Sequence, residues 1–173
     1  MKAQPQGRVV GSGDVAAAPL HIVLVEPHVP PNTGNVARLC AATGCALHLI
    51  EPLGFSIDDR ELKRAGLDYW EHVSVVVHPS LDAYLAANAE RGGQWFVETG
   101  APLRYDEAPY AFGDSLVFGP ETKGLPREIL AREAGRVVGI PMRPGTVRSL
   151  NLSTTVGIVA YAALARLGFP SLS

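Results

Sequence analysis

The sequence contains few of the features that mark metal sites or disulfide-bonded domains. Its only two cysteines, Cys40 and Cys45, lie five residues apart around Gly44. That spacing fits neither a redox CxxC motif nor a pair of metal ligands. The five histidines also lack the i, i+4 spacing and the neighbouring carboxylates of a zinc site. We therefore expect buried, reduced thiols and no metal.

Long hydrophobic runs are scarce as well. The longest apolar stretch, residues 154–167, would extend about 21 Å as a helix, which is shorter than the ~30 Å core of a bilayer, and it contains Arg166. Residues 1–19 lack the apolar segment of a secretory signal. We expect a cytoplasmic protein with no membrane segment, a disordered N-terminal extension at residues 1–19 and one domain at residues 20–173.

No strong charge of either sign identifies a partner. The formal net charge is −2 over 173 residues, so the whole molecule is not basic enough to announce a nucleic-acid ligand. A local basic patch can still bind phosphates, because phosphate binding responds to nearby charges. The partner must therefore be inferred from motifs.

The two common phosphate-binding loops of α/β proteins are missing. Gly11 and Gly13 precede the first predicted strand, Gly92 and Gly93 precede another strand instead of following it, and no GxxxxGK[ST] sequence occurs. A dinucleotide-binding enzyme is therefore disfavoured. Any ligand must be held in another way.

Apolar runs of strand length alternate with helical segments. Predicted strands occupy residues 21–26, 47–50, 73–77, 94–99, 115–118 and 136–140. Predicted helices occupy residues 33–43, 58–65 and 80–89, a short segment from Pro126, and a last segment that begins at Asn151 or Ser153 and ends before Gly168. This alternation predicts a parallel sheet with helices on both faces.

Three polar, glycine-containing clusters follow or adjoin predicted strands. They lie at residues 32–38, 118–125 and 140–153. Because α/β proteins bind ligands at the carboxyl ends of parallel strands, the clusters predict one composite site. Each cluster alone also has an ordinary interpretation, namely a capped helix with a solvent-exposed arginine, a glycine turn, and a plain helix N-cap.

Together, the clusters closely resemble the three motifs of the SPOUT superfamily of S-adenosylmethionine-dependent RNA methyltransferases. The strings EPHVPPNTGNVARLCAATG, RAGLDYWE and FGPETKGLP are similar to the small branch that methylates the ribose 2′-hydroxyl at the tRNA wobble position. The resemblance covers about residues 21–170. It implies a C-terminal trefoil knot, a homodimer, S-adenosylhomocysteine as product, and cytidine or modified uridine 34 of leucine tRNAs as the acceptor.

The resemblance also implies roles for individual residues. Arg38 matches the motif arginine implicated in catalysis. The cofactor contacts fall, largely through backbone groups, on Glu98, Gly119, Ile140, Ser149 and Leu150. The positions that shape the site or bind RNA are Asn35, Glu121, Asn151, Ser153 and Tyr161. Two features depart from the family pattern: Glu98 replaces a usually apolar residue, and residues 144–148 form a stretch one residue longer than usual.

Basic side chains supply the expected RNA contacts. They are Arg38, Lys63, Arg64, Lys123, Arg127, Arg143 and Arg148; each one alone could equally be a solvated surface charge. The apolar last helix is buried by the core alone or also by a second subunit. Two alternative functions stay open: a SPOUT enzyme acting on another tRNA position or on rRNA, and a non-catalytic RNA-binding module.

Overall fold

The structure, a computed structural model, describes residues 7–10, 14–57, 64 and 71–173. Eight strands form one sheet in the order β1-β4-β3-β2-β7-β5-β8-β6. Every neighbouring pair is parallel except β1 and β4, which are antiparallel. The strands are Arg8–Val10, Leu20–Val25, Ala46–Ile50, Val75–His78, Gln94–Val97, Leu103–Arg104, Asp114–Phe118 and Val137–Gly139 for β1 to β8. The predicted parallel sheet is confirmed.

Helices cover both faces of this sheet, as predicted. The α-helices whose bounds lie within the described residues are Pro30–Thr43 (α1), Leu81–Ala87 (α2), Arg127–Arg132 (α3) and Leu152–Arg166 (α4). Alternate residues of β2 face opposite cores, since Ile22 packs in the cluster that includes the α1 and α4 residues and Val23 packs in the cluster that includes the α2 residues. Strands that are apolar on both faces follow from this arrangement.

The helix ends follow local chemistry. Prolines occupy the first two positions of α1, where a missing N–H costs nothing, and this helix begins three residues earlier than predicted. It ends at Gly44, whose φ of 74° is left-handed. Ser80 caps α2 by accepting a hydrogen bond from the Ala83 N–H, and Asn151 caps α4 through the Thr154 N–H.

The structure differs from the prediction at both sheet edges. Arg8–Val10, within the predicted disordered extension, forms β1 and pairs with Val75–Val77 of β4. The two β-branched residues favour a strand, and Gly7 fits because an added Cβ would lie 2.7 Å from Val76 Cγ1. At the other edge, β6 contains only two residues, too few for an alternating pattern. The trefoil knot stays a prediction, and the predicted helix at residues 58–65 lies mostly outside the described residues.

A row of three buried histidines runs diagonally across β2, β3 and β4. His21 Nδ1 lies 2.9 Å from His48 Nε2, and His48 Nδ1 lies 2.9 Å from His78 Nε2. Arg91 Nη1 lies 3.3 Å from His21 Nδ1. Because a guanidinium can only donate, His21 Nδ1 accepts, and the protons of the row then lie on Nε2 of His48 and His78. The Tyr84 ring packs against His48 and His78 with centroids 5.0 Å apart.

Burial keeps these histidines neutral. It lowers the pKa of His21 to about 4, helped by the positive charge of Arg91. The same causes lower the pKa of His78 to about 4, and burial lowers the pKa of His48 well below its usual value. Among the described residues, no group of three His, Cys, Asp or Glu side chains is arranged to hold a metal ion. The described helices include none with the length and apolarity needed to cross a bilayer.

Candidate functional site

A cleft of about 760 Å³ opens at the carboxyl ends of β5, β7 and β8. All three polar clusters contribute to its wall, as the composite-site prediction requires. Asn32 comes from α1, residues 118–124 come from the end of β7 and the loop after it, and residues 148–152 come from the segment that leads into α4. All five residues predicted to contact a cofactor line the cleft: Glu98, Gly119, Ile140, Ser149 and Leu150.

Glu121 joins the second cluster to the first. Its Oε2 accepts a hydrogen bond from the His28 N–H at 2.9 Å, and its Oε1 accepts one from the Val29 N–H at 3.1 Å. Asn32 Nδ2 donates to the same Oε1 at 3.4 Å. Partial burial by itself would raise the pKa of Glu121, but these hydrogen bonds outweigh it and hold the pKa below its usual value. The carboxylate is therefore charged at neutral pH.

Asn151 joins the third cluster to the first. Its Nδ2 donates to Asn32 Oδ1 at 3.0 Å. Its Oδ1 accepts from Ser153 Oγ at 2.7 Å and from the Thr154 N–H at 3.3 Å. Asn32 therefore stands between Asn151 and Glu121 in one chain of hydrogen bonds. No site role was predicted for Asn32 from the sequence, yet it lies inside α1 and is the residue that links all three clusters.

Glu98 lies immediately after β5 and contacts the loop that follows β7. Its Oε2 accepts a hydrogen bond from the Leu125 N–H at 2.9 Å, and its Oε1 accepts one from the Thr99 N–H at 3.3 Å. Within the loop, Gly119 lies directly against Gly124, where an added Cβ would be 2.4 Å from the Gly124 carbonyl carbon. This wall of the cleft is formed by closely packed backbone.

Several predicted site residues lie outside the cleft wall. Arg38 and Asn35 are exposed on α1, and Arg38 is six residues beyond Asn32, or about 9 Å along the helix axis. Ser153 is linked to the site by the hydrogen bond that its Oγ donates to Asn151. Tyr161 lies on α4 with 46% of its surface exposed, and its ring centroid is 6.4 Å from that of Phe169. Their roles stay predictions.

The predicted RNA-binding cations are distributed around the cleft. Lys123 and Arg148 line it. Arg143 lines a smaller adjoining cleft of about 380 Å³, together with Arg148 and Arg104. Arg127 and Arg64 are exposed elsewhere, and Lys63 lies outside the described residues. Arg104 was not predicted, and its guanidinium is paired with Asp106 at 2.7 Å.

Comparison with known proteins gives a consistent picture. Residues 19–161 match the model of the SpoU rRNA Methylase family. A tRNA (cytidine(34)-2′-O)-methyltransferase of Saccharophagus degradans is 51% identical over 150 residues, which cover 86% of this chain and 96% of the relative. The enzyme of the same name from Escherichia coli is 49% identical over 152 residues, covering 87% and 96% of the two chains.

A solved structure supports the same grouping. It comes from work on the 2-OH methylation of C/U34 on tRNA, and it is 48% identical with a TM-score of 0.81. The match covers 86% of this chain and 96% of that one. Because the family model and these relatives span most of the sequence, the predicted resemblance is confirmed, and the chain belongs to the SpoU rRNA Methylase family.

Proposed function

We propose that this chain is an S-adenosylmethionine-dependent tRNA methyltransferase that methylates the ribose 2′-hydroxyl of nucleotide 34. The observation that carries the proposal is the cleft in which Asn151, Asn32 and Glu121 join three distant motifs. Support for the acceptor comes from relatives about half identical to this chain, which are named for that reaction. Leucine tRNAs carrying cytidine or modified uridine at position 34 are the proposed substrates.

The residues of the cleft fit this cofactor. A volume of about 760 Å³ lies in the range of roughly 300–1,000 Å³ typical of small-molecule sites. Val97, Phe118 and Leu152 offer apolar surface, while Glu98 and Glu121 offer negative charge. When bound, S-adenosylmethionine supplies a methyl group on a positively charged sulfur. Gly119, Ile140, Ser149 and Leu150 would hold it largely through backbone groups, and S-adenosylhomocysteine would be the product.

The protein's main contribution to methyl transfer is orientation. Aligning the ribose oxygen with the methyl carbon and the leaving sulfur can contribute roughly 7–11 kcal/mol in favourable cases. The 2′-hydroxyl must lose its proton as the new bond forms. A guanidinium is a cation that does not serve as a base, so the proposed task of Arg38 is to fix the neighbouring phosphate and stabilise the developing negative charge on the oxygen. A phosphate or a water then accepts the proton.

A homodimer completes the proposal. The outer side of α4 carries Gly157 and Ile158, which are partly exposed, and Tyr161, which is exposed near the exposed Phe169. The helix α1, which carries Arg38 and Asn35, packs against α4. Tyr161 then contacts the partner subunit or its RNA. Light scattering should give about twice the monomer mass of 18.3 kDa, and a monomeric mass would contradict the homodimer.

A transfer assay tests the activity. The protein is incubated with methyl-labelled S-adenosylmethionine and unmodified leucine tRNAs, and alkali-resistant linkages are then mapped. Label at nucleotide 34 supports the proposal. Label at another position, or only on rRNA, would assign a different acceptor, and cofactor binding without transfer would indicate an RNA-binding module.

The Arg38→Ala substitution tests the catalytic assignment. We expect turnover to fall by roughly 100-fold or more, since a lost electrostatic contact to a developing anion has effects of that size. The affinity for S-adenosylmethionine should hardly change, because Arg38 does not line the cleft. Arg132→Ala is a suitable control, since this exposed arginine of α3 pairs with Glu133 at 3.1 Å. Near wild-type turnover of Arg38→Ala would refute the assignment.

Phosphate binding is tested by salt. Each phosphate contact made by Lys123, Arg143 or Arg148 should contribute about 0.7 to 0.9 to the negative slope of log K against log salt. Removing one of these cations should reduce the slope measured in tRNA binding by about that amount. An unchanged slope would remove the substituted residue from the RNA contacts.

A further inference from the structure

We infer that Glu98 is a positioning residue. Its side chain holds the loop of residues 119–125 in the shape that S-adenosylmethionine binding requires. This inference rests on the proposed function, because it takes the cleft to bind S-adenosylmethionine. The role so far attached to Glu98 was a contact through its backbone. The structure instead gives its carboxylate two partners, the N–H groups of Leu125 and Thr99, at 2.9 and 3.3 Å.

Glu98 is itself firmly anchored. Its backbone N–H donates to the Val138 carbonyl at 3.0 Å, so the residue is fixed on β8 as well as at the end of β5. From this anchored position the carboxylate reaches Leu125, at the far end of the loop. Glu121 attaches the same loop to the segment before α1. The loop is therefore tied to the rest of the protein at two separate places.

Close packing transmits the position of Glu98 to the cleft wall. A Cβ on Gly124 would lie 2.8 Å from both carboxylate oxygens, so the carboxylate rests directly on this glycine. Gly124 in turn lies against Gly119, where an added Cβ would be 2.4 Å from the Gly124 carbonyl carbon. A displacement of the Glu98 side chain should therefore shift Gly119, which lines the cleft.

The chemistry of the two contacts requires a carboxylate. Both partners are backbone donors, and an ionised carboxylate offers an acceptor at each oxygen. Glutamine offers one carbonyl oxygen, so its NH₂ group would face the second backbone N–H. Leucine offers no acceptor. The expected order of loop stability is therefore Glu, then Gln, then Leu at this position.

Binding measurements on Glu98→Gln and Glu98→Leu test the inference. We expect Glu98→Leu to weaken both S-adenosylmethionine and S-adenosylhomocysteine by about tenfold or more, the size expected for lost hydrogen bonds to a charged group. Glu98→Gln should fall between Glu98→Leu and the wild type. The affinity for tRNA should stay within about twofold of the wild-type value. The KM for S-adenosylmethionine should rise much more than kcat falls. Glu90→Gln removes the same charge at an exposed position and should change none of these values.

A double-mutant cycle isolates the contact between Glu98 and Gly124. In the wild-type background, Gly124→Ala creates both a clash with the carboxylate and strain at a φ of 67°. In the Glu98→Ala background only the strain remains. The loss of S-adenosylmethionine affinity caused by Gly124→Ala should therefore be at least about threefold smaller in the Glu98→Ala background than in the wild type. Independent effects of the two substitutions would overturn the inference.

Amide hydrogen exchange gives a readout that does not need the cofactor. In Glu98→Leu, exchange at Leu125 and its loop neighbours should become faster, while exchange in β2 and β3 should not change. Unchanged exchange in the loop would overturn the inference even if the enzyme is active. Failure of the wild-type chain to bind S-adenosylmethionine would instead refute the proposed function, and the exchange result would still decide the role of Glu98.

Discussion

The donor cleft and the histidine row are two polar regions of one sheet, and they differ in how their polar groups are solvated. The row consists of side chains that belong to strands β2, β3 and β4, and His21, His48 and His78 are at most 7% exposed. The cleft lies where β5, β7 and β8 end, and Glu98 and Glu121 there are partly exposed. The buried polar groups within the strands thus contribute to stability, whereas the polar groups beyond the strand ends can contact a ligand.

The two regions also differ in charge: the histidines are neutral and the Glu121 carboxylate is ionised, although the pKa is lowered in both. Burial, reinforced by Arg91, lowers the pKa of His21 and keeps its imidazole neutral. Donated hydrogen bonds outweigh the effect of partial burial at Glu121, lower its pKa, and keep its carboxylate charged. Substitutions in the row should therefore change stability with little effect on binding, and substitutions in the cleft should do the reverse.

Among the substitutions that test this difference between the two regions, His48→Ala should have the largest effect, a loss of stability. It removes a packed ring and leaves the His78 Nε2–H without its acceptor, so we expect a loss of about 3 kcal/mol in the free energy of unfolding. Denaturant titration measures the loss, and His72→Ala, at an exposed position, should stay within about 0.5 kcal/mol of the wild type. The variant should still bind S-adenosylmethionine normally where it is folded. Weakened binding in the folded variant would break the distinction between the two regions.

Acid should destabilise the protein through the histidine row. Stability from a depressed histidine pKa is complete above the unfolded value of about 6.5 and is lost as pH falls toward the folded value of about 4, because only the unfolded chain takes up the protons. For His21 alone the loss at pH 5 is about 2 kcal/mol relative to pH 8. Denaturant titrations across this range measure it. A flat profile between pH 7 and pH 5 would contradict neutral histidines.

Glu121→Gln has the smallest expected effect on stability and acts mainly on binding. The glutamine amide keeps one acceptor oxygen but loses the charge and one of the backbone hydrogen bonds. The affinity for S-adenosylmethionine should therefore fall by about tenfold. The free energy of unfolding should change by no more than about 1 kcal/mol, because the side chain is partly exposed. Calorimetric titration and denaturant unfolding measure the two quantities. A large loss of stability without a loss of affinity would reverse the roles assigned to the two regions.

Much of this architecture was predictable because it depends on local chemistry. The apolar runs of β2, β3 and β7 and the caps at Ser80 and Asn151 are readable from neighbouring residues. The histidine row was not predictable, since His48 pairs with Val23 and His78 with Ile50 only once the strand register is set. Nothing in the sequence indicates that these three isolated histidines lie side by side.

The sequence by itself determined the alternation of strands and helices, the three motifs and the family they resemble, because these are properties of residues close together along the chain. Only the tertiary structure decided that Asn32 links the motifs, that Glu98 reaches Leu125, and that Arg38 lies outside the cleft wall. Asn151 and Asn32 are 119 residues apart in the sequence yet 3.0 Å apart in space. Contacts of this kind depend on the path of the chain through the sheet, because that path brings the distant strand ends together at one edge.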